Sequence, residues 1–383
     1  MSPALPGTQL WCERAVTPTG ERRGVLLDIV GGRIADLRTA VDAPTGAEVV
    51  SGRVVPGFVD THGHGGGGHN YATLDADEAR ATRAFHRRHG TTTALASLVT
   101  ADLDTLVAQI QTLAPLVRSG ELAGLHLEGP FLSAAKKGAH TASLLRPPTA
   151  ESVDRLLEAA DGTLAMVTVA PELPGGLAAI ARLVAAGVVV AVGHTDGDET
   201  DARRALDAGA TVATHLFNAM RPIHHREPGP VPVLLGDERV VVELIGDGFH
   251  LHRDVVRMAV DAAGLDRVAL ITDAMAATGM PDGRFSLGDR NVLVRHGEAR
   301  LVEEDGSAGS IAGSTLTMAA GFEFLVGLGM SVPGAAHLAA STPARRHGLP
   351  GVGVIETGAA ADLCVVDDTG RLQRVMQDGA WVT

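Results

Sequence analysis

Histidine and acidic residues recur in this chain at spacings that suit a metal ion. The candidates for ligands are His62, His64, Glu128, His194, His215 and Asp273. In an extended strand, side chains two residues apart point to the same face, so His62 and His64 can share one ion. Imidazole and carboxylate groups are the ligands that a borderline divalent cation such as Zn²⁺ prefers. A carboxylate beside such an ion can also act as general base and then as general acid, and we predict this catalytic role for Asp273.

The segments that must position these residues alternate between strand and helix patterns. Eight short runs rich in Val, Ile, Thr and Leu are predicted as strands: 54–60, 91–97, 124–128, 166–170, 188–194, 211–215, 240–245 and 268–273. Most are followed by a segment of helical period, at 75–88, 103–118, 152–160, 177–186, 200–208 and 253–263. This order predicts an α/β fold with a closed, TIM-like (β/α)₈ barrel, and a doubly wound open sheet is the alternative. In a barrel, the loops after the strands meet at one face, where the candidate ligands would converge.

The two ends of the chain show a different pattern. Residues 1–53 and 346–383 contain short alternating strands separated by Gly, Pro and Asp turns, which predicts one small β-sandwich domain built from both termini. Residues 54–345 then form the catalytic barrel. Within them, Arg284 to Val302 is predicted as a hairpin and Thr315 to Leu328 as a helix. The run Gly65 to Gly68 is either a mobile flap, a point of close backbone approach to the site or a plain loop.

Composition excludes several classes of protein. The chain has 383 residues and a net charge of −13, which argues against a nucleic-acid partner because such proteins need a basic face. No apolar run reaches the roughly 20 residues that a membrane helix requires. Cys12 and Cys364 match no metal-ligand spacing, and we interpret them as core residues in a reducing compartment. We therefore expect a cytoplasmic enzyme with a small-molecule substrate.

Several motifs give the chain a family resemblance. They are PGFVDTHGH at 56–64, HLEGPF at 126–131, KKGAH at 136–140, GHT at 193–195, THLFNAM at 214–220, REPG at 226–229, DGFH at 247–250, TDA at 272–274, AGS at 312–314 and GAAADL at 358–363. In this order they resemble the amidohydrolase superfamily, and within it the branch that deacetylates N-acetylglucosamine 6-phosphate. The resemblance implies a metal-bearing barrel joined to a β-sandwich made from both termini.

The resemblance also implies roles for the candidate ligands. Glu128, His194 and His215 correspond to residues that bind the principal ion, and Asp273 corresponds to the catalytic acid and base. Some members lack the HxH pair and carry one ion. Because this chain has His62 and His64, we expect either one or two ions per subunit. Zinc is the preferred identity, with Fe, Mn, Co and Cd as alternatives. Many amidohydrolases bridge two ions with a lysine on the fourth strand, and because 166–170 contains no lysine, Glu128 would have to bridge instead.

Substrate contacts are implied for a further set of residues: Ala139, His140, Asn218, Ala219, Arg226, Asp247, His250, Ile311, Ala312 and Gly313. A sugar phosphate carries about two negative charges, so an acidic enzyme needs a local cationic site, which Arg226 and His250 can supply. Related enzymes form dimers in which the equivalent of Arg226 reaches the neighbouring site, and this implies a homodimer. We interpret Lys136 and Lys137 as solvated.

The sequence thus predicts metal-dependent hydrolysis of the N-acetyl group of N-acetylglucosamine 6-phosphate, in amino-sugar catabolism, to glucosamine 6-phosphate and acetate. The galactosamine epimer or another amidohydrolase substrate remains an alternative. A non-catalytic protein that binds sugar phosphates on a degenerate barrel is a more distant one.

Overall fold

Eight strands form the central sheet of the protein. The computed structural model describes residues 7–303 and 305–383, so the first six residues of the predicted terminal domain lie outside the described residues. In chain order, the strands are Phe58–Asp60, Thr91–Val99, Gly124–Glu128, Leu164–Val169, Val189–Val192, Val212–Ala213, Val241–Ile245 and Val268–Ile271. They lie side by side in this order and pair in parallel. A parallel bridge between Gly63 and Ala274 joins the extension of the first strand to that of the eighth. The prediction of a closed (β/α)₈ barrel is confirmed, and the open sheet is excluded.

Helices connect the successive strands. The α-helices are Ala76–Arg88, Leu103–Arg118, Ala150–Ala160, Gly176–Ala185, Glu199–Asp207, Val231–Gly236, Arg253–Ala263, Met318–Gly327, Val332–Ala336 and Thr342–Arg346. Several begin at an oxygen-bearing side chain that accepts a backbone N–H of the first turn, as Asp102 does from Thr105 and Asp198 from Asp201. In the part of the chain that the structure describes, no helix is both long and apolar enough to span a bilayer.

The barrel interior is layered according to the two-residue period of its strands. Its apolar layer contains Leu95, Met166, Ala191 and Val212, which come from four different strands and pack together. The side chains two residues further along the strands are small or polar: Ser97, Thr168, Gly193 and Thr214. His126 of the third strand joins this second layer through hydrogen bonds with the Ser97 and Thr168 hydroxyls. Glu128, two residues beyond His126, therefore lies at the carboxyl end of the barrel.

A separate antiparallel sheet follows the eighth barrel strand. Its strands are Gly283–Leu287, Arg290–Arg295, Glu298–Val302 and Ala308–Ile311, paired in that order. The hairpin predicted for this region is therefore only part of a four-stranded sheet. The missing strand, Ala308–Ile311, has few apolar residues and alternates only weakly, and it leads directly into Ala312 and Gly313.

Strands from both chain ends form one seven-stranded mixed sheet. Its spatial order is Ala380–Trp381, Leu372–Gln377, Leu363–Val366, Glu48–Pro56, Thr8–Thr17, Gly20–Val30 and Arg33–Thr39. The two cysteines are free and buried in this sheet. By backbone contacts, one compact unit comprises residues up to 60 with 84–93 and 317–383, and the other comprises 61–83 and 94–316. The domain limits 1–53 with 346–383, and 54–345, stay predictions.

Candidate metal centre and active site

The candidate ligands follow the barrel strands at a regular interval. His62, His194, His215 and Asp273 each lie two residues after the last residue of a strand, whereas Glu128 ends the third strand itself. All are buried, with at most 7% of their surface exposed. The structure therefore brings together side chains that are up to 211 positions apart in the sequence, counted from His62 to Asp273.

Four of the side chains form a first group of potential ligands: His62, His64, Glu128 and Asp273. The Nε2 atoms of His62 and His64 are 3.3 Å apart. Nε2 of His64 lies 3.1 Å from Oε2 of Glu128 and 3.2 Å from Oδ1 of Asp273. Tetrahedral zinc with bonds of about 2.0–2.1 Å places its ligand atoms about 3.3 Å apart, so this spacing fits an ion.

Glu128, His194 and His215 form the second group. Oε1 of Glu128 lies 3.0 Å from Nε2 of His194 and 2.8 Å from Nε2 of His215, and the two Nε2 atoms are 3.1 Å apart. Glu128 thus offers one oxygen to this group and contacts His64 of the first group with the other. This is the shared position that the absence of a lysine on the fourth strand led us to expect for Glu128.

The hydrogen bonds behind the rings fix their tautomers. Nδ1 of His64 contacts the carbonyl oxygen of Ser97 at 3.2 Å, and Nδ1 of His194 contacts that of Lys136 at 2.8 Å. A carbonyl oxygen can only accept, so each Nδ1 carries the proton and donates it. In the neutral ring Nε2 then presents a lone pair to the neighbouring ligand atoms. Such outer hydrogen bonds are typical of histidines that bind metals.

The electrostatics of the centre favour positive charge. Burial alone would lower the pKa of His64, but hydrogen bonds to Asp273 and Glu128 outweigh it and raise the pKa to about 9. Burial would raise the pKa of Asp273, yet the charge of His62 and the hydrogen bond to His64 lower it to about 2. The pKa of Glu128 is likewise held below its ordinary value, because nearby imidazoles outweigh its burial. A divalent cation suits two ionised carboxylates surrounded by imidazole nitrogens, so the residues present fit such an ion.

Three of the ligand candidates have an uncommon backbone conformation. The φ angles are +47° at His194, +25° at His215 and +49° at Asp273. Residues other than glycine rarely adopt positive φ, and such positions concentrate at functional sites where the surrounding structure enforces them. Here the conformation occurs directly after a strand and turns the side chain toward the common centre.

A cavity of about 340 Å³ opens over this centre. Of the residues predicted to contact substrate, it is lined by Ala139, His140, Asn218, Ala219, His250, Ile311 and Gly313. Nε2 of the buried His140 lies 3.4 Å from Oε2 of Glu128. Burial lowers the pKa of His140, so its ring is neutral and can donate one hydrogen bond. The volume lies in the range of small-molecule sites.

The surroundings of His250, which lines the cavity, favour a positive charge on its ring. Its Nδ1 lies 2.7 Å from Oδ2 of Asp247, whose other oxygen accepts the backbone N–H groups of Phe249 and His250. Burial would lower the pKa of His250, but the hydrogen bond to Asp247 raises it above the ordinary value. Asp247 does not line the cavity itself, so it affects a bound substrate only by raising the pKa of His250.

Other predicted residues lie away from the cavity wall. Arg226 is exposed and contacts Nε2 of His225, 2.7 Å from its Nη1. Ala312 is buried in the core beneath the four-stranded sheet. Lys136, expected to be solvated, is partly buried and lines the cavity, and its Nζ lies 3.6 Å from Asp196. Gly65–Gly66 pairs with His69–Asn70 in a short hairpin, and His69 is exposed.

Sequence reasoning missed two buried polar residues beside the centre. His126, although part of a quoted motif, received no role, and its ring packs edge-on against His62 with 4.6 Å between centroids. Glu243 accepts a hydrogen bond from Nδ1 of His62, 3.1 Å from its Oε2. The available signal for Glu243 was an acidic residue inside the otherwise apolar run 240–245.

Comparisons with known proteins agree with this site. The model of the family described as "Amidohydrolase family" matches residues 53–382. An N-acetylgalactosamine-6-phosphate deacetylase of Escherichia coli O157:H7 is 37% identical over 331 residues, which cover 85% of this chain and 86% of the relative. An N-acetylglucosamine-6-phosphate deacetylase of Vibrio furnissii is 34% identical over 335 residues, covering 86% and 82%.

One solved structure is similar over almost the whole chain. It is a mutant N-acetyl-D-glucosamine-6-phosphate deacetylase of Mycobacterium smegmatis in complex with N-acetyl-D-glucosamine-6-phosphate. The sequence identity is 45% and the TM-score 0.95, covering 99% of this chain and 100% of the other.

Proposed function

Because this chain belongs to the amidohydrolase family, we propose that it hydrolyses the N-acetyl group of N-acetylglucosamine 6-phosphate to glucosamine 6-phosphate and acetate. The observation that carries the proposal is the Glu128 carboxylate, which joins two groups of imidazole and carboxylate ligands beneath a cavity of about 340 Å³. The similar structure of 45% identity holds N-acetyl-D-glucosamine-6-phosphate, which supports this substrate class.

Glu128, His194 and His215 would hold one ion, and the group of His62, His64, Glu128 and Asp273 would hold a second. Zinc suits these ligands, and Fe, Mn, Co or Cd are alternatives. When bound, such an ion supplies Lewis acidity, which polarises the amide carbonyl and lowers the pKa of water.

Asp273 is the proton carrier of the reaction. Its carboxylate lies at the cavity wall and has a pKa of about 2, so it is ionised at neutral pH and can accept a proton from the attacking water. It then returns that proton to the sugar nitrogen, which otherwise leaves poorly as an amine anion. The neutral ring of His140, beside Glu128, is placed to donate a hydrogen bond to the oxyanion.

The phosphate requires a cation at the far end of the substrate. We assign this role to His250, whose positive charge Asp247 maintains, with Asn218, Ala219, Ala139, Ile311 and Gly313 forming the wall around the sugar. Arg226 is exposed and does not line the cavity of its own chain, and in a homodimer the partner's Arg226 would complete the phosphate site. The homodimer and a cytoplasmic location stay predictions.

The galactosamine epimer is the second candidate substrate. It is favoured by the relative of 37% identity, which is an N-acetylgalactosamine-6-phosphate deacetylase. The two sugars differ only in the configuration at one hydroxyl group.

Acetate release by the metal-loaded protein tests the proposal, with three substrates compared: N-acetylglucosamine 6-phosphate, its galactosamine epimer and unphosphorylated N-acetylglucosamine. We expect turnover of the first and a much lower kcat/KM for the unphosphorylated sugar. Turnover of the galactosamine epimer alone would select the second candidate. Binding of all three sugars without acetate release would indicate a sugar-phosphate-binding protein instead.

A further inference from the structure

Glu243 is a buried carboxylate that the proposed mechanism does not use. It lies in the middle of the seventh barrel strand, Val241–Ile245, and only 1% of its surface is exposed. Every other residue of that strand is apolar. Burial of an ionised carboxylate costs several kcal/mol unless hydrogen bonds or opposite charges compensate, so the contacts of Glu243 indicate why the chain places it there.

The carboxylate of Glu243 accepts hydrogen bonds from three residues. Oε2 accepts a hydrogen bond from Nδ1 of His62 at 3.1 Å and, at 3.4 Å, from the backbone N–H of His215. Oε1 accepts one from the hydroxyl of Thr61 at 3.3 Å. The carboxylate therefore contacts the ring of a residue in the first ligand group and the backbone of a residue in the second.

The contact with His62 determines what that ring can bind. A carboxylate oxygen accepts this hydrogen bond, so Nδ1 of His62 carries a proton, and in the neutral ring Nε2 is left with the lone pair that an ion needs. The ring also packs edge-on with His126 and stacks on His215, and the hydrogen bond to Glu243 orients its nitrogen atoms. The corresponding Nδ1 bonds of His64 and His194 go to backbone carbonyls, so among these three rings only that of His62 depends on a side chain.

We propose that Glu243 is a positioning residue that sets the affinity of the ion position formed by His62, His64, Glu128 and Asp273. It acts through the ring of His62 and makes no contact with substrate. The inference rests on the proposed function insofar as that function assigns an ion to each of the two ligand groups. Removing such an outer partner typically weakens metal affinity by about 10–100-fold.

Two substitutions separate charge from shape. Glu243→Gln keeps the size of the side chain, but its amide is neutral and can donate to Nδ1 of His62, which moves the ring proton to Nε2 and blocks the lone pair. The glutamine could instead turn its amide oxygen toward Nδ1 of His62 and keep the hydrogen bond. Glu243→Ala covers that case, because it removes the contact altogether. Asp362→Asn is the matched control, because Asp362 is also buried and accepts a backbone N–H from Asp378 in the terminal sheet.

The test measures ion binding directly. The full-length protein is stripped with a chelator and titrated with Zn²⁺ and, for its visible spectrum, with Co²⁺, and the bound metal per chain is determined by mass spectrometry. We expect two ions per chain in the unmodified protein and in Asp362→Asn. We expect one of the two to bind about 10–100-fold more weakly in Glu243→Gln or Glu243→Ala.

A double-mutant comparison distinguishes positioning from a general structural role. If Glu243 acts through His62, then His62→Ala with Glu243→Ala binds metal as His62→Ala alone does. Additive losses, equal affinities of Glu243→Ala and the unmodified protein for both ions, or a single ion per unmodified chain would each overturn the inference. None of these readouts requires deacetylation, so two ions per chain without acetate release would contradict the proposed function alone.

Discussion

Oδ1 of Asp273 lies 3.2 Å from Nε2 of His64, at the point where the extended first strand and the end of the eighth strand meet. This contact lies where the first and eighth strands close the barrel. The backbone N–H of Asp273 donates to the carbonyl oxygen of His62 at 2.8 Å, which holds Asp273 beside the first strand. The contacts that close the barrel therefore also bring the side chains of His64 and Asp273 together.

Replacement of Asp273 by Asn should abolish proton transfer while preserving the shape of the side chain. We expect kcat for acetate release to fall about 10²–10⁴-fold, the range associated with general acid–base groups. Circular dichroism and the thermal midpoint check that the fold persists. Asp289→Asn is the control, because Asp289 also lines the cavity but bonds the hydroxyl of Thr141, and it should retain near-native kcat. Near-native turnover by Asp273→Asn would show that another group carries the proton.

Removal of the metal should destabilise the protein. The carboxylates of Glu128 and Asp273 are only 4% and 7% exposed, and without an ion the nearby imidazoles must offset their charge. We expect chelation to eliminate acetate release and to lower the melting temperature by several degrees, because an ion that binds the folded state stabilises it. Zn²⁺ should restore both properties. An unchanged melting temperature after verified metal loss would argue against a structural contribution of the ion.

His250 should govern recognition of the phosphate. We expect His250→Gln to raise KM for the phosphorylated sugar about 10–100-fold with little change in kcat, since a hydrogen bond to a charged group contributes about 1.5–3 kcal/mol. His252→Gln is the control, because His252 is exposed at the start of the next helix and does not line the cavity.

The charge of His250 also predicts a pH dependence. Its pKa is raised by Asp247, and by the more distant Asp273 and Glu298, against the opposing effect of burial. The charged form therefore predominates below this raised pKa and disappears as pH rises through it, so KM should increase on the alkaline side. Measured KM values that are flat with pH in the unmodified protein would contradict the assignment.

Gly193 should be intolerant of a side chain. A Cβ atom there would lie 2.6 Å from Cβ of Thr214 and 2.9 Å from Cγ2 of Thr168, in the layer just beneath the centre. We expect Gly193→Ala to displace His194, to reduce bound metal and to destabilise the fold by about 1–3 kcal/mol. Gly236→Ala, where the added atom meets nothing within 4 Å, should leave metal content and stability close to native. Equal behaviour of the two variants would refute the packing argument.

Subunit mixing tests whether Arg226 serves a neighbouring site. Asp273→Asn and Arg226→Ala subunits are each defective alone at low substrate concentration. In a mixed dimer, a subunit with intact Asp273 receives the partner's Arg226, so one of the two sites should recover and acetate release should rise above that of either variant. If Arg226 works within its own chain, mixing restores nothing.

Much of the fold was predictable because it depends on local periodicity. The apolar runs ending at polar residues correctly predicted eight strands, and Gly124–Glu128 and Leu103–Arg118 have the predicted bounds. The sixth strand is only Val212–Ala213, however, because the chain turns into positive φ at His215, which no residue pattern reveals. The sheet that ends in Ala308–Ile311 was missed in part because its last strand has little hydrophobic alternation.

The sequence predicted those site residues whose side-chain type alone indicates a chemical role. Imidazoles and carboxylates at strand ends indicated metal ligands, and the structure places their donor atoms together. Glu243 was missed because its function arises from three donors that lie 28 to 182 positions away in the sequence. Lys136 was misjudged for a similar reason, since its side chain lies at the cavity wall with Nζ 3.6 Å from Asp196, a residue 60 positions away.

Anomalous diffraction from crystals of the zinc-loaded protein, recorded at the zinc absorption edge, tests most directly whether Glu128 joins two ions. We predict two peaks, one among His62, His64 and Asp273 and one between His194 and His215, each within bonding distance of a Glu128 oxygen. A map with bound zinc elsewhere and no peak beside Glu128 would contradict the account.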